Sequence, residues 1–181
     1  MVDPEYAVIK AIAGGDRLAF ESLVKRYQNP VCNFACRYLG DRAAAEDITQ
    51  EVLLRVYQAA SRFDPRGRVS SWIFQIARNL ALNELKRRKR LRRDEMEMDS
   101  GSACAPANAS VASPAPVQDL EREVMGALKA LPENQRAALL LRVNEGLSYR
   151  EIGEVLGVSV QSVESLLFRA RTQLRCSLRH K

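Results

Sequence analysis

Between Asp94 and Asp119 the chain reads DEMEMDSGSACAPANASVASPAPVQD. This stretch is rich in Ala, Ser and Pro, holds no aromatic residue, and shows no sustained apolar period. A segment of that composition cannot bury enough apolar surface to offset the entropy of ordering it. It therefore reads as a linker that divides the 181 residues into two blocks, 1–93 and 120–181. Each block has to fold on its own apolar pattern. As a flexible coil the linker would span roughly 25–30 Å, and several-fold more when stretched. Two small domains on distant parts of one large surface are thus within its reach.

Both blocks carry helical periodicity and almost no period-two alternation, so the expected fold class is all-α. Asp3-Pro4 reads as a cap followed by proline at the first helical position, with Gly14-Gly15 as the stop. Asp16 caps a second helix whose apolar face is Leu18, Phe20, Leu23, Val24 and Tyr27. Asn29-Pro30 is expected to open a third helix, closed by Gly40. Asp41 caps a fourth through Phe63, with Ile48, Val52, Leu53, Val56 and Tyr57 as its stripe. After the turn FDPRGR, Ser70 or Ser71 caps a helix carrying Trp72, Ile73, Ile76, Ala77, Leu80 and Leu85. In the second block a helix over about 120–131 is followed by one that Pro132 opens and Gly146 closes. Ser148 and Glu151 then form a capping box, SYRE, at the head of a short helix ending at Gly157. Ser159 caps the last helix, which buries Val160, Val163, Leu166 or Leu167, Ala170 and Leu174.

Charge points to the partner. Residues 1–93 hold 18 Lys/Arg against 10 Asp/Glu, residues 94–119 hold 5 Asp/Glu and no base, and residues 120–181 hold 10 against 7. The densest cluster is RNLALNELKRRKRLRR at 78–93, with eight positive charges against Glu84 alone. Like charges so close oppose folding, and a polyanion would relieve them. GLSYREIGEVLGVSVQSVESLLFRARTQLR has the layout of a helix-turn-helix, in which the second helix can enter a major groove. Any two-helix hairpin needs the same apolar residues and caps. Arg169, Arg171, Arg175 and Arg179 tip the reading toward DNA, because they lie where phosphates can be reached.

The residues then become specific. LPENQRAALLLRVNEGLSYREIGEVLGVSVQSVESLLFRARTQLR resembles region 4 of a bacterial RNA polymerase sigma factor of the extracytoplasmic-function (ECF) group. AFESLVKRYQNPVCNFACRYLGDRAAAEDITQEVLLRVYQAASRF followed by SSWIFQIARNLALNELKRRKR resembles region 2 of the same group. Together the two matches cover nearly the whole chain, in order.

That resemblance implies the following expectations. Residues 1–93 form region 2, which binds core polymerase and recognises and melts the −10 element. Residues 94–119 are the flexible acidic linker, and residues 120–181 form region 4, which reads the −35 element. Asp47, Gln50, Glu51 and Arg55, on one helical face, would dock on the β′ clamp helices, and region 4 would meet the β flap. Around the −10 element, Asn79 and Asn83 would meet an extruded base and Arg66, Arg68 and Arg78 would approach the strand. Lys86, Arg87, Arg88, Lys89 and Arg90 would follow the backbone. Trp72 could stack on a base, though its place in the apolar period favours core packing. Gln161, Ser162, Ser165 and Arg169 would read the −35 element, with Tyr149, Ser159 and Arg171 beside them. Many relatives carry arginine where Glu164 and Leu166 stand here. Glu164 could accept from a cytosine amino group, or simply lower non-specific affinity. An anti-sigma factor is the further implied partner.

Other chemistry finds little support. No Gly-rich phosphate loop, no Ser/His/Asp set and no carboxylate cluster with metal spacing is visible, so neither an enzyme nor a cofactor is expected. Cys32 and Cys36 stand at i, i+4, as do Cys176 and the only histidine, His180, but buried or half-buried thiols are the simpler reading. No apolar run approaches the ~20 residues of a membrane span. MVDPEYAVIK shows no basic stretch ahead of an apolar core, so a cytoplasmic chain with reduced thiols is expected. The rival function is a two-domain helix-turn-helix regulator acting without core polymerase. It would bind duplex tightly on its own, and it gives no reason for the basic run beside Asn79 and Asn83.

Overall fold

The computed structural model describes residues 3–64, 67–98 and 116–179, and all regular structure among them is helical. The first block consists of α1 (Tyr6–Ala13), α2 (Arg17–Leu39), α3 (Arg42–Ala59) and α4 (Val69–Met98), with a 3-10 turn at Ala60–Arg62. The second consists of α5 (Pro116–Ala130), α6 (Glu133–Val143), α7 (Tyr149–Leu156) and α8 (Val160–Arg179).

Polar caps set most boundaries. The Asp16 carboxylate accepts from the Leu18 and Ala19 amides at 2.9 and 3.1 Å. Asp41 accepts from Ala44 N–H at 3.2 Å. Gly40 ends α2 in the left-handed region at φ 69°, a conformation that costs a side-chain-bearing residue 1–2 kcal/mol or so. Asp3 behaves differently from its expected role. One oxygen accepts from Glu5 N–H, ahead of α1, and the other accepts from Val69 N–H at 2.9 Å. Asp3 therefore supplies the acceptor at the head of α4 from across the block, and the helix begins before Ser70 and Ser71.

The break expected at Asn29-Pro30 is absent, because α2 runs through Pro30. A proline inside a helix costs about 3 kcal/mol. The stripe Leu23, Tyr27, Val31, Phe34, Ala35 and Tyr38 stays in register across it and is buried throughout. Each large member contributes about 1.5–3 kcal/mol, so tertiary packing outweighs the local signal. Phe34 stacks on Tyr38 and meets Phe74 of α4 edge-on, both at 5.7 Å between centroids. Three expected core residues are instead on the surface: Leu18, Tyr57 and Val160 are 75%, 48% and 42% exposed. The linker also shortens, since α4 extends to Met98 and α5 begins at Pro116.

The larger departure concerns the two blocks. They are docked, with α7 packed on α4 and with α5 and α6 packed on α2. Arg136 of α6 is 6% exposed. Its guanidinium donates to the Tyr38 carbonyl at 2.6 Å in the last turn of α2, and to the Lys129 and Leu131 carbonyls at 2.6 and 3.1 Å. It thereby satisfies a C-terminal carbonyl of one block and the loop of the other, where a buried acceptor would otherwise lack a donor. Its cation also lies 5.5 Å from the Tyr38 ring centroid. The Lys129 side chain crosses Gly40 so closely that a Cβ there would fall 1.8 Å from its Cε.

Candidate nucleic-acid interface

Three surfaces emerge from these elements. On α3 the buried side is Ala45, Ile48, Thr49, Val52, Leu53 and Val56. The opposite side carries Asp47, Gln50 and Arg55, all exposed, and Glu51, half-buried. Arg55 Nε pairs with Glu51 at 2.6 Å. Leu54, 49% exposed, lies seven residues from Asp47 and so sits within this polar face. A polar rim around an apolar centre is the usual anatomy of a protein–protein contact. Leu54 was not singled out from the sequence, although its i+7 offset from Asp47 puts it on the same helical face.

The second surface runs along α4. Trp72, Asn79, Asn83, Lys86 and Arg90 recur at i, i+7, i+11, i+14 and i+18, which places them on one helical stripe. Asn79, Asn83, Lys86 and Arg90 are exposed, while Trp72 is half-buried against Phe63 at 4.9 Å. One hollow beside this stripe is lined by Arg55, Gln58, Arg62, Trp72, Ile76 and Asn79. Trp72 thus packs on Phe63 on one side and lines the hollow on the other. Arg66 lies outside the described residues.

The basic run is not one continuous free rail. Arg87 and Arg88 both bond Glu84, at 2.7 and 2.6 Å, and Arg88 also reaches Asp41 at 2.9 Å. The Arg87 hydrogen bond, aided by Arg88, holds the Glu84 carboxyl down at about 2. Arg78, half-buried, donates to Asn79 at 3.2 Å and to Asn134 of α6 at 2.8 Å. Lys89 pairs with Glu133 at 2.6 Å, and Arg68 with Glu151 at 3.0 Å. Lys86 and Arg90, on the amide stripe, point away from these partners.

The third surface is the α7–α8 hairpin. The capping box forms as read: Glu151 N–H donates to Ser148 Oγ at 3.3 Å, and Ser148 N–H to Glu151 Oε2 at 2.7 Å. Gly157 turns the chain at φ 68°. Gly153 was missed. A Cβ on it would sit 2.8 Å from the Val158 carbonyl oxygen, so only glycine lets the turn fold back on α7 this closely. Ser159 caps α8, accepting from Ser162 N–H at 3.2 Å. Gln161, Ser162, Ser165, Arg169 and Arg171 are all exposed, opposite buried Val163, Leu167 and Ala170. Phe168, 72% exposed, shares the stripe of Gln161 and Ser165. The Ser165 hydroxyl donates back to the Gln161 carbonyl at 3.1 Å. Tyr149 is half-buried beneath Arg142, 5.4 Å from its cation.

Among the described residues no group of His, Cys, Asp and Glu is arranged to hold a metal ion. Cys32 and Cys36 are half-buried, and burial raises the Cys36 thiol above its ordinary range. Cys104 and His180 lie outside the described residues. No helix among them is long and apolar enough to cross a membrane.

Comparison with known proteins assigns both blocks. Residues 23–91 match the family model for Sigma-70 region 2, and residues 121–174 match that for Sigma-70 region 4. The ECF RNA polymerase sigma-E factor of Haemophilus influenzae is 33% identical over 94% of this chain and 93% of its own length. The ECF RNA polymerase sigma factor SigE of Mycolicibacterium smegmatis is 37% identical over 90% of this chain, which spans 64% of that protein. Among solved structures, CnrH in complex with the cytosolic domain of CnrY superposes with a TM-score of 0.73 at 25% identity, covering 97% of both chains.

Proposed function

This chain belongs to the extracytoplasmic-function sigma factors of the sigma-70 family, and from that membership we propose how its residues divide the work of promoter recognition. As a sigma factor it is a non-enzymatic initiation factor that binds core RNA polymerase and directs it to promoters. The α3 face of Asp47, Gln50, Glu51 and Arg55, centred on Leu54, docks on the β′ clamp helices. Region 4 meets the β flap and lays α8 in the −35 major groove, with Gln161, Ser162, Ser165 and Arg169 toward base edges. Ser159 and Arg171 lie nearer phosphate, and Tyr149 supports the hairpin from behind.

Along α4, Asn79 and Asn83 bond the edges of an unpaired base while Lys86 and Arg90 hold the backbone that leads to it. Melting a duplex costs a few kcal/mol per step, and capture of an extruded base offsets part of that. The observation that carries this reading is the single exposed stripe on which the amides and the two outward-pointing cations align. Arg87 and Arg88 stand off that stripe and shape the helix through Glu84 and Asp41. Because core polymerase is the partner, the proposed location is the cytoplasm. CnrH is in complex with the cytosolic domain of CnrY in the solved structure, and a protein partner of the anti-sigma class is proposed for this chain.

Run-off transcription with purified core polymerase on a pool of promoter fragments tests the assignment. Core-dependent selection of a subset of fragments is expected. Duplex selection by the chain alone, without any effect of core, would establish the rival regulator instead.

A further inference from the structure

Among the residues of α8, Glu164 is the one acid, on a helix that also carries Arg169, Arg171, Arg175 and Arg179. It follows Gln161 by three residues and precedes Phe168 by four, with Ser165 beside it. Glu164 therefore lies inside the exposed stripe of Gln161, Ser165 and Phe168, opposite buried Val163 and Leu167. The other acids of the α7–α8 hairpin have partners within the chain. Glu151 accepts from Ser148 N–H at 2.7 Å and pairs with Arg68 at 3.0 Å. Glu154 pairs with Arg150 at 3.4 Å. Glu164 is exposed and bonds none of the described residues. No cation stands three or four residues from it, and Arg171, on the same face, is about two turns away.

An exposed glutamate on a helix is ordinarily a solvated one. This one sits where α8 would enter a major groove, between two phosphate backbones that repel it. Nothing in its own chain neutralises it there, so its charge has to be met by a donor on a base edge. The major groove offers two such donors, the N4 amino group of cytosine and the N6 amino group of adenine. Adenine sets N6 beside its own N7 acceptor, which turns a second lone pair toward an incoming carboxylate. Cytosine presents N4 with no acceptor on the same base. An ionised carboxylate has acceptors only, whereas an amide carries both kinds of group. Cytosine is thus the base that fits a glutamate, and adenine the base that fits a glutamine.

We propose that Glu164 is a specificity-determining residue for the −35 element, accepting a hydrogen bond from the N4 amino group of one cytosine. The inference rests on the region 4 assignment above and names one base that it reads. Gln161 and Glu164 are about 4.5 Å apart along the helix axis, close to the ~3.4 Å step between base pairs. The cytosine therefore lies within one or two base pairs of the pair that Gln161 meets. The charge has a second effect. Repulsion from phosphate lowers affinity for every sequence, so Glu164 sharpens selection by penalising sites without that cytosine.

The test compares the wild-type chain, Glu164→Gln and Glu164→Ala, each as holoenzyme with core polymerase. Fragments selected by the wild-type holoenzyme define the upstream motif, and all four base pairs are then placed at each of its positions. At one position the wild type should prefer cytosine by about tenfold, the span of a good base contact. Glu164→Gln should move that preference to adenine, and Glu164→Ala should abolish it while binding to all fragments tightens. N4-methylcytosine at that position should weaken the wild type and leave Glu164→Ala unaffected. A uniform gain in affinity with the same base ranking at every position would overturn the proposal, leaving Glu164 as a repulsive charge alone. Selection by the chain without core polymerase would remove the sigma reading, and the same three proteins on those fragments would still decide the role of Glu164.

Discussion

Two single residues carry more than their types suggest. Gly153 lies inside α7, where alanine would ordinarily gain up to about 1 kcal/mol of helix propensity. Its missing Cβ makes room for the Val158 carbonyl, so Gly153→Ala should destabilise the chain, by about 1–3 kcal/mol, the usual cost of overpacking. A lower urea midpoint is the expected reading, and a higher one would contradict the close turn. Glu145 sits in the loop after α6, in a recess shared with Asn29, Pro30, Asn33, Arg37 and Asn144. Burial raises its carboxyl to about 7, with Arg37 acting in the opposite direction. An acid whose folded value exceeds its unfolded one favours the fold fully below the unfolded value, and that benefit is lost as pH rises through about 7. Glu145→Gln should therefore raise Tm at pH 8 and leave it nearly unchanged at pH 4, where the native carboxyl is already protonated. Equal shifts at both pH values would rule out titration as the cause.

At the scale of the element, the sequence was most legible where a polar cap met an apolar period. Asp16, Asp41, Ser148 and Ser159 all cap the helices expected of them, and Gly40 and Gly157 end theirs in the left-handed region. Pro30 was misread because a strong local signal opposed a longer one, the unbroken stripe from Leu23 to Tyr38. Asp3 was misread because its second acceptor role spans 66 residues, beyond the reach of any local pattern. The α3 face was legible as a set of charges and incomplete without Leu54. Leu54→Asp should weaken core polymerase binding at least tenfold in a fluorescence anisotropy titration, with the fold unaffected because this side chain lies outside the core. The α4 stripe gives a complementary test. Asn79→Ala should slow promoter opening, followed by permanganate reactivity, several-fold more than it weakens duplex binding by the holoenzyme. Equal losses would move Asn79 away from the unpaired base.

At the scale of the whole molecule, two domains and a linker could be read from composition and resemblance, whereas their docking could not. The inter-block contacts join side chains with no sequence spacing in common: Arg37 with Asn144 at 2.8 Å, Arg78 with Asn134, Lys89 with Glu133. Arg136 was passed over as one base among many in a basic block. Among the described residues it is the one buried arginine, with three carbonyls converging on it. Arg136→Ala should cost about 3 kcal/mol or more in chemical denaturation, because it removes a donor from each carbonyl at once. Arg136→Lys should recover only part of that loss, since a single ammonium cannot span the same three acceptors. Full recovery by lysine would mean that charge alone, without the planar fork, holds the junction.

The end of α4 at Met98 and the start of α5 at Pro116 set a limit on how strong that junction has to be. The intervening residues can extend to about 55–60 Å at most, so region 4 never leaves the neighbourhood of region 2. A connection of that order corresponds to an effective concentration in the millimolar range. Re-docking is then a first-order step, and an interface worth only about 4 kcal/mol at standard state already holds the two regions together half of the time. Each further 1.4 kcal/mol shifts that balance tenfold. A partner that takes hold of either region alone can reverse it, with no need to overcome the affinity of two separate molecules.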